Sequence, residues 1–129
     1  MASTYLGGNS ADESMAIALD ANGYVYVTGF TASTDFPKTT WAYQTALAGI
    51  WDVFLSRLNN VLTNLLASTF LGGSDLDFSL ALACGDGVVY VPGRTESSNF
   101  PTTNGAYNTS FNGSDDAFVS KLNADLTLQ

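Results

Sequence analysis

Short apolar runs separated by Gly, Ser, Thr and Asn dominate this chain, and apolar and polar positions alternate only weakly. In the first half the pattern predicts four strands, at residues 15–20, 24–30, 52–58 and 65–71. The first two are separated by Ala21-Asn22-Gly23, which predicts a hairpin because Asn and Gly tolerate a positive φ. Apolar residues on both faces of these strands predict a sheet that is buried on both sides.

The same pattern occurs twice along the chain. The segment S-T-Y-L-G-G at residues 3–8 returns as S-T-F-L-G-G at residues 68–73, and 30 of 62 aligned positions are identical. The offset is 65 residues before Asn22 and 64 after it. We therefore divide the chain into repeat one, residues 1–65, and repeat two, residues 66–129. Tandem units of four short antiparallel strands are typical of the blades of a β-propeller.

Four further motifs recur in both repeats at matching positions. They are Y-V-x-G-x-T (26–31 and 90–95), F-P-x-T (36–39 and 100–103), A-Y-x-T (42–45 and 106–109) and D-x-F-x-S-R/K-L-N (52–59 and 116–123). Together with the Gly-Gly segment, these motifs resemble the bacterial SBBP β-propeller repeat. The resemblance implies an all-β propeller with two four-stranded antiparallel blades per chain. It also implies a secreted or cell-surface setting, and no catalytic residues.

The register of the repeats places their boundary at the start of a fourth strand. Ser3, Thr4, Tyr5 and Leu6 match that strand, but no first three strands precede them, while repeat two ends without its own fourth strand. We expect the segment 3–6 to complete the second blade of a neighbouring copy, as the "velcro" strand of a propeller does. Head-to-tail copies then close a ring: a trimer of six blades is favoured over a dimer of four or a tetramer of eight. The alternative is a fragment of a longer propeller.

Charge and composition exclude several functions. The chain carries 12 acidic and 4 basic residues, a net charge of −8, so it lacks the basic patch that nucleic acids require. It has no His, which excludes His-based triads and His metal sites, and we predict no enzymatic activity. The single cysteine, Cys84, is expected to be a small packed residue. No apolar run approaches the roughly 20 residues of a membrane helix, so membrane insertion is not predicted.

Residues that differ between the repeats suggest a second function. Trp41 and Trp51 occur only in repeat one, and Arg94 and Glu96 replace uncharged residues in repeat two. Arg, Glu and Trp together suit sugar recognition, with polar contacts and an aromatic platform. A carbohydrate-binding propeller that uses the face of the long loops is therefore the alternative hypothesis. The competing interpretation is an exposed Arg–Glu pair with aromatic rings that pack between blades.

Asp12 and Asp77 occupy matching positions after the Gly-Gly segments. Such carboxylates cap turns by accepting hydrogen bonds from backbone amides. They could also contribute to a Ca²⁺ site, which needs several oxygen ligands, but no D-x-D-x-D-G loop is present. We predict no other cofactor.

Overall fold

The computed structural model describes residues 1–127 and is all-β. The first sheet consists of β1 (Asp12–Leu19), β2 (Val25–Thr31), β3 (Asp52–Leu58) and β4 (Leu65–Leu71), antiparallel and in the order β1-β2-β3-β4. The predicted third and fourth strands agree with β3 and β4, and the first two differ only at their ends. All residues of β4 after Leu65 belong to repeat two, so the first sheet takes nearly all of its last strand from repeat two.

The second sheet consists of β5 (Asp77–Ser79), β6 (Ala83–Gly85), β7 (Val88–Thr95) and β8 (Asp116–Asn123). β5 and β6 both pair with one edge of β7, and β8 pairs with the other edge, all antiparallel. These four strands therefore occupy three positions, since β5 and β6 together correspond to β1. Within residues 1–127, no strand pairs with the outer edge of β8.

Pro92 explains why the first strand of the second sheet is divided. In the first sheet, Ala16 pairs with Thr28, and the counterparts of these residues are Ala81 and Pro92. Proline has no N–H to donate to the neighbouring strand. The ladder therefore stops after Ser79 and resumes at β6.

Two apolar clusters form the core of the chain. The larger lies between the sheets and joins Tyr26, Leu55 and Leu71 of the first sheet to residues of the second sheet such as Val91 and Leu122. The smaller, which we call the phenylalanine cluster, lies on the other side of the first sheet. It consists of Phe36 from the long β2–β3 loop, Phe54 from β3 and Phe70 from β4.

The N-terminal segment pairs with no strand within residues 1–127. Residues 1–8 form no regular secondary structure, Tyr5 is fully exposed, and Leu6 packs against the phenylalanine cluster. None of the described residues lies in a helix with the length and hydrophobicity of a membrane span.

Candidate functional site

Asp77 organises the Gly-Gly turn that precedes the second sheet. Its carboxylate accepts hydrogen bonds from the Gly73 amide at 2.8 Å, the Ser97 hydroxyl at 3.0 Å and the Thr95 hydroxyl. The Thr95 hydroxyl oxygen in turn accepts from the Ser97 amide. This network ties β5, β7 and the preceding turn together at one end of the sheet.

Asp12 forms the same network in repeat one. It accepts from the Gly8 amide at 2.8 Å, the Thr31 hydroxyl at 2.6 Å and the Ser33 hydroxyl at 3.2 Å. The capping interpretation of Asp12 and Asp77 therefore describes their observed contacts. Within residues 1–127, no three acidic or cysteine side chains are grouped so that they could hold a metal ion, and the Ca²⁺ hypothesis has no further support.

Asp52 caps the long loop where it enters β3. It accepts from the amides of Ala48 and Gly49 at 2.8 and 3.1 Å, and from the Gln44 side chain at 2.8 Å. Gln44 also accepts from the Gly72 amide at 3.0 Å, which connects the loop to the end of β4. The loop is thereby fixed against the fourth strand of its blade.

Asp52 and Asp77 meet at the junction of the two sheets. A Cβ at Gly72 would lie 2.7 Å from a carboxylate oxygen of each, so only glycine fits between them. Burial raises the pKa of Asp52 to about 6, and the neighbouring Asp77 adds to that increase. Burial also raises the pKa of Asp77, while its hydrogen bonds to Thr95, Gly73 and Ser97 oppose the shift.

These raised pKa values predict how stability depends on pH. A carboxyl group whose pKa is higher in the folded state than in the unfolded state holds its proton more tightly when folded. The Asp52 carboxyl should therefore contribute most to the free energy of unfolding below about pH 4, and this contribution should decrease as the pH rises through about 6. Urea denaturation between pH 4 and 7 measures this dependence, and Asp52→Asn should reduce the slope of the free energy of unfolding against pH. A slope that Asp52→Asn leaves unchanged would contradict the assignment to Asp52.

Three of the four predicted ligand-binding residues lie around Phe30 and Phe78, where the sheets meet. The Trp51 ring contacts Phe30 edge-on at 5.3 Å, and Phe30 contacts Phe78 at 4.8 Å. The Arg94 guanidinium lies 5.3 Å from the centre of the Phe78 ring and forms an ion pair with Glu96 at 2.6 Å. Trp51 thus takes part in packing between the sheets, and Arg94 and Glu96 form a partly exposed pair beside it.

Trp41 is not part of this group. It is 58% exposed and precedes Ala42, which forms an isolated bridge with Thr127. Within residues 1–127, no aromatic contact joins it to Trp51. The carbohydrate-binding hypothesis therefore stays a prediction, with only part of its residues brought together.

A groove of about 880 Å³ runs along the unpaired edge of β8, and we call it the edge groove. The long β7–β8 loop forms its other wall. In the first sheet, the corresponding space between β3 and the long loop is filled by β4. Residues lining the edge groove include Phe100, Thr103, Asn108, Phe118, Ser120 and Leu122.

The turn networks recur in both sheets, but only the first sheet has a strand from the following repeat at its last position. Residues 3–37 match the family model of SBBP, a beta-propeller repeat. The SBBP match begins at the segment 3–6 and continues through the Gly-Gly turn, β1 and β2. It confirms the resemblance found in the sequence motifs. No curated protein matches the chain.

Two functional candidates were missed by sequence reasoning. Glu13 and Asp115 lie at the same end of the strands as Arg94. A carboxylate oxygen of Asp115 lies 3.9 Å from a guanidinium nitrogen of Arg94. Comparing the repeats position by position gives the signal, because their counterparts, Phe78 and Trp51, are aromatic. The sequence contained no indication of the edge groove other than the expected absence of a fourth strand from repeat two.

Proposed function

We propose that this chain is a propeller module that assembles with copies of itself, head to tail. Residues 3–6 of one copy add to the free edge of β8 in the next copy and complete its second blade. The edge groove is the observation that carries this proposal, because its counterpart in the first sheet is filled by a segment of nearly identical sequence, residues 68–71.

Serine contacts support the pairing. In the first sheet, the hydroxyl groups of Ser56 on β3 and Ser68 on β4 lie 2.8 Å apart and are fully buried. Their counterparts are Ser120 on β8 and Ser3 in the N-terminal segment. The incoming strand therefore brings the side chain that this position of the edge groove requires.

Backbone contacts of the long loop also have counterparts. In the first blade, the Gln44 amide donates to the Thr69 hydroxyl at 2.9 Å, and the Gln44 carbonyl accepts from the Phe70 amide at 3.1 Å. Asn108 takes the place of Gln44 in the edge groove, and Thr4 takes the place of Thr69. An N-terminal strand in the groove thus finds the same donors and acceptors, which satisfies backbone groups as they leave water.

An aromatic socket supports the proposal further. Phe70 is fully buried in the phenylalanine cluster. The edge groove contains the corresponding rings of Phe100 and Phe118, whose centres are 4.3 Å apart. Tyr5, the counterpart of Phe70, is fully exposed in the single copy. Burying a large aromatic side chain contributes roughly 1.5–3 kcal/mol, which favours packing of Tyr5 beside these two rings, as Phe70 packs beside Phe36 and Phe54.

The outer face of the second sheet is also unsatisfied. Tyr90 and Val119 are 41% and 76% exposed, whereas their counterparts Tyr26 and Leu55 are completely buried between the sheets. An apolar face of this kind marks an interaction surface. Within the chain, the same face of the first sheet is covered by the second sheet, which supports a sheet of another copy as the cover for this face.

The opposite end of the molecule offers the complementary face. Ile17 and Leu19 on β1 are more than 60% exposed, while their counterparts Leu82 and Cys84 pack against the core between the sheets. The first sheet of one copy can therefore pack on the second sheet of another as the two sheets pack within the chain. Repetition of one rotation closes a ring, and three copies give six blades.

The solution mass of the chain tests the proposal. We expect a stable species of three times 13.6 kDa by light scattering coupled to size exclusion, with a dimer or tetramer as the other closed rings. A chain that remains a folded monomer of 13.6 kDa at every concentration would overturn self-assembly. Circular dichroism on the same fractions establishes that the monomer, if found, is folded.

A further inference from the structure

The two sheets of one chain meet through aromatic rings at the end that carries the long loops. Phe30 of β2 contacts Phe78 of β5 edge-on at 4.8 Å, and Trp51 contacts Phe30 at 5.3 Å. This contact joins the second strand of one sheet to the first strand of the next. The residues that occupy the equivalent positions in the other repeat differ from these rings in chemistry.

The counterparts of all three rings are charged. Phe30 corresponds to Arg94, Trp51 to Asp115, and Phe78 to Glu13. The strand registers support this equivalence. Glu13 pairs with Phe30 across β1 and β2, as Phe78 pairs with Arg94 across β5 and β7. A junction between copies that repeats the in-chain geometry therefore brings Glu13 of one copy to Arg94 of the next.

Arg94 can bind a further carboxylate. It forms an ion pair with Glu96 at 2.6 Å, approaches Asp115 to 3.9 Å, and its side chain remains 46% exposed. A guanidinium has five N–H donors, so these contacts leave donors free. Glu13 is exposed and forms no ion pair within residues 1–127.

We infer that Arg94 and Glu13 of the next copy form the ion pair that makes the junction between copies specific. This inference rests on the proposed head-to-tail assembly. At the wrong junction, where two first sheets meet, Glu13 would face Phe30 and Trp51 and lose its water without gaining a cation. A desolvated and unpaired Glu13 carboxylate disfavours a junction between two first sheets. The Arg94–Glu13 pair therefore selects the order of the sheets and also strengthens the contact between copies.

Charge reversal and its rescue test the inference. Arg94→Glu places a fourth carboxylate beside Glu13, Glu96 and Asp115, and should raise the dissociation constant of the assembly by about tenfold or more. Arg94→Glu combined with Glu13→Arg should restore assembly to near that of the wild type. The difference in dissociation constant between Arg94→Glu and the wild type should become smaller in 1 M salt, where screening is strong.

Lys38→Glu is the matched control. Lys38 is exposed, and its reversal changes the net charge as Arg94→Glu does. We expect Lys38→Glu to assemble as the wild type. If Arg94→Glu also assembles normally, or if the double variant fails to regain assembly, the ion pair is wrong while self-assembly stands. A monomeric wild-type chain would instead overturn both proposals.

Discussion

Tyr5→Asp should abolish assembly and leave a folded monomer. The change would place a carboxylate beside the rings of Phe100 and Phe118 in the edge groove, and burying a charge against apolar rings is costly. In the single copy Tyr5 is fully exposed and makes no core contact, so the fold of the monomer should not suffer. Sedimentation velocity across a concentration series measures the effect, and we expect association to weaken by about 100-fold or more.

Tyr5→Phe is the conservative control for this experiment. It introduces the residue that repeat two has at this position, Phe70, which is completely buried in the first blade. Assembly of Tyr5→Phe should therefore match the wild type or exceed it. If Tyr5→Asp retains the wild-type mass, the N-terminal segment does not occupy the edge groove, even if copies associate through another surface.

Of the substitutions considered, Phe54→Ala should cause the largest decrease in the free energy of unfolding. Phe54 is 1% exposed, stacks on Phe36 at a distance of 4.4 Å between ring centres, and belongs to the phenylalanine cluster on β3. Removing a fully buried ring costs about 3–5 kcal/mol through lost burial and the cavity that remains. Urea denaturation followed by circular dichroism measures this, at one fixed protein concentration because association also contributes to stability.

Ile50→Ala provides the comparison for the loss at Phe54. Ile50 is also apolar, but it lies 61% exposed in the long loop just before β3. Its truncation should change the free energy of unfolding by no more than about 0.5 kcal/mol. A loss below about 1 kcal/mol for Phe54→Ala would contradict its place in a tightly packed cluster.

Repeat comparison predicted the fold better than hydrophobic pattern alone could have done. The pattern gave the bounds of β3 and β4, and the repeated motifs identified the same strands in repeat two. The repeat alignment matches Pro92 with Thr28, but it did not predict that the first strand of the second sheet is divided. A missing N–H acts on the neighbouring strand, and only the register shows which residues lose their partner.

The candidate residues had mixed outcomes for the same reason. Asp12 and Asp77 cap turns through hydroxyl partners that lie 18 to 21 residues away in the chain, across the turn and β2 or β7. Trp51 and Arg94 lie close together because Phe30 and Phe78 connect them, whereas Trp41 remains outside the group. Sequence spacing carries no information about such contacts between sheets.

The sequence by itself determined that this chain holds two copies of one repeat, that the motifs of these copies resemble the SBBP propeller repeat, and that the segment 3–6 has nearly the sequence of a strand, residues 68–71. Local periodicity, turn residues and internal identity are all written along the chain. Only the tertiary structure decided that this segment is unpaired, that a groove lies beside β8, and that Glu13 and Arg94 are counterparts of rings at the in-chain junction. These facts depend on which residues of distant segments meet, and packing rather than local preference sets those contacts.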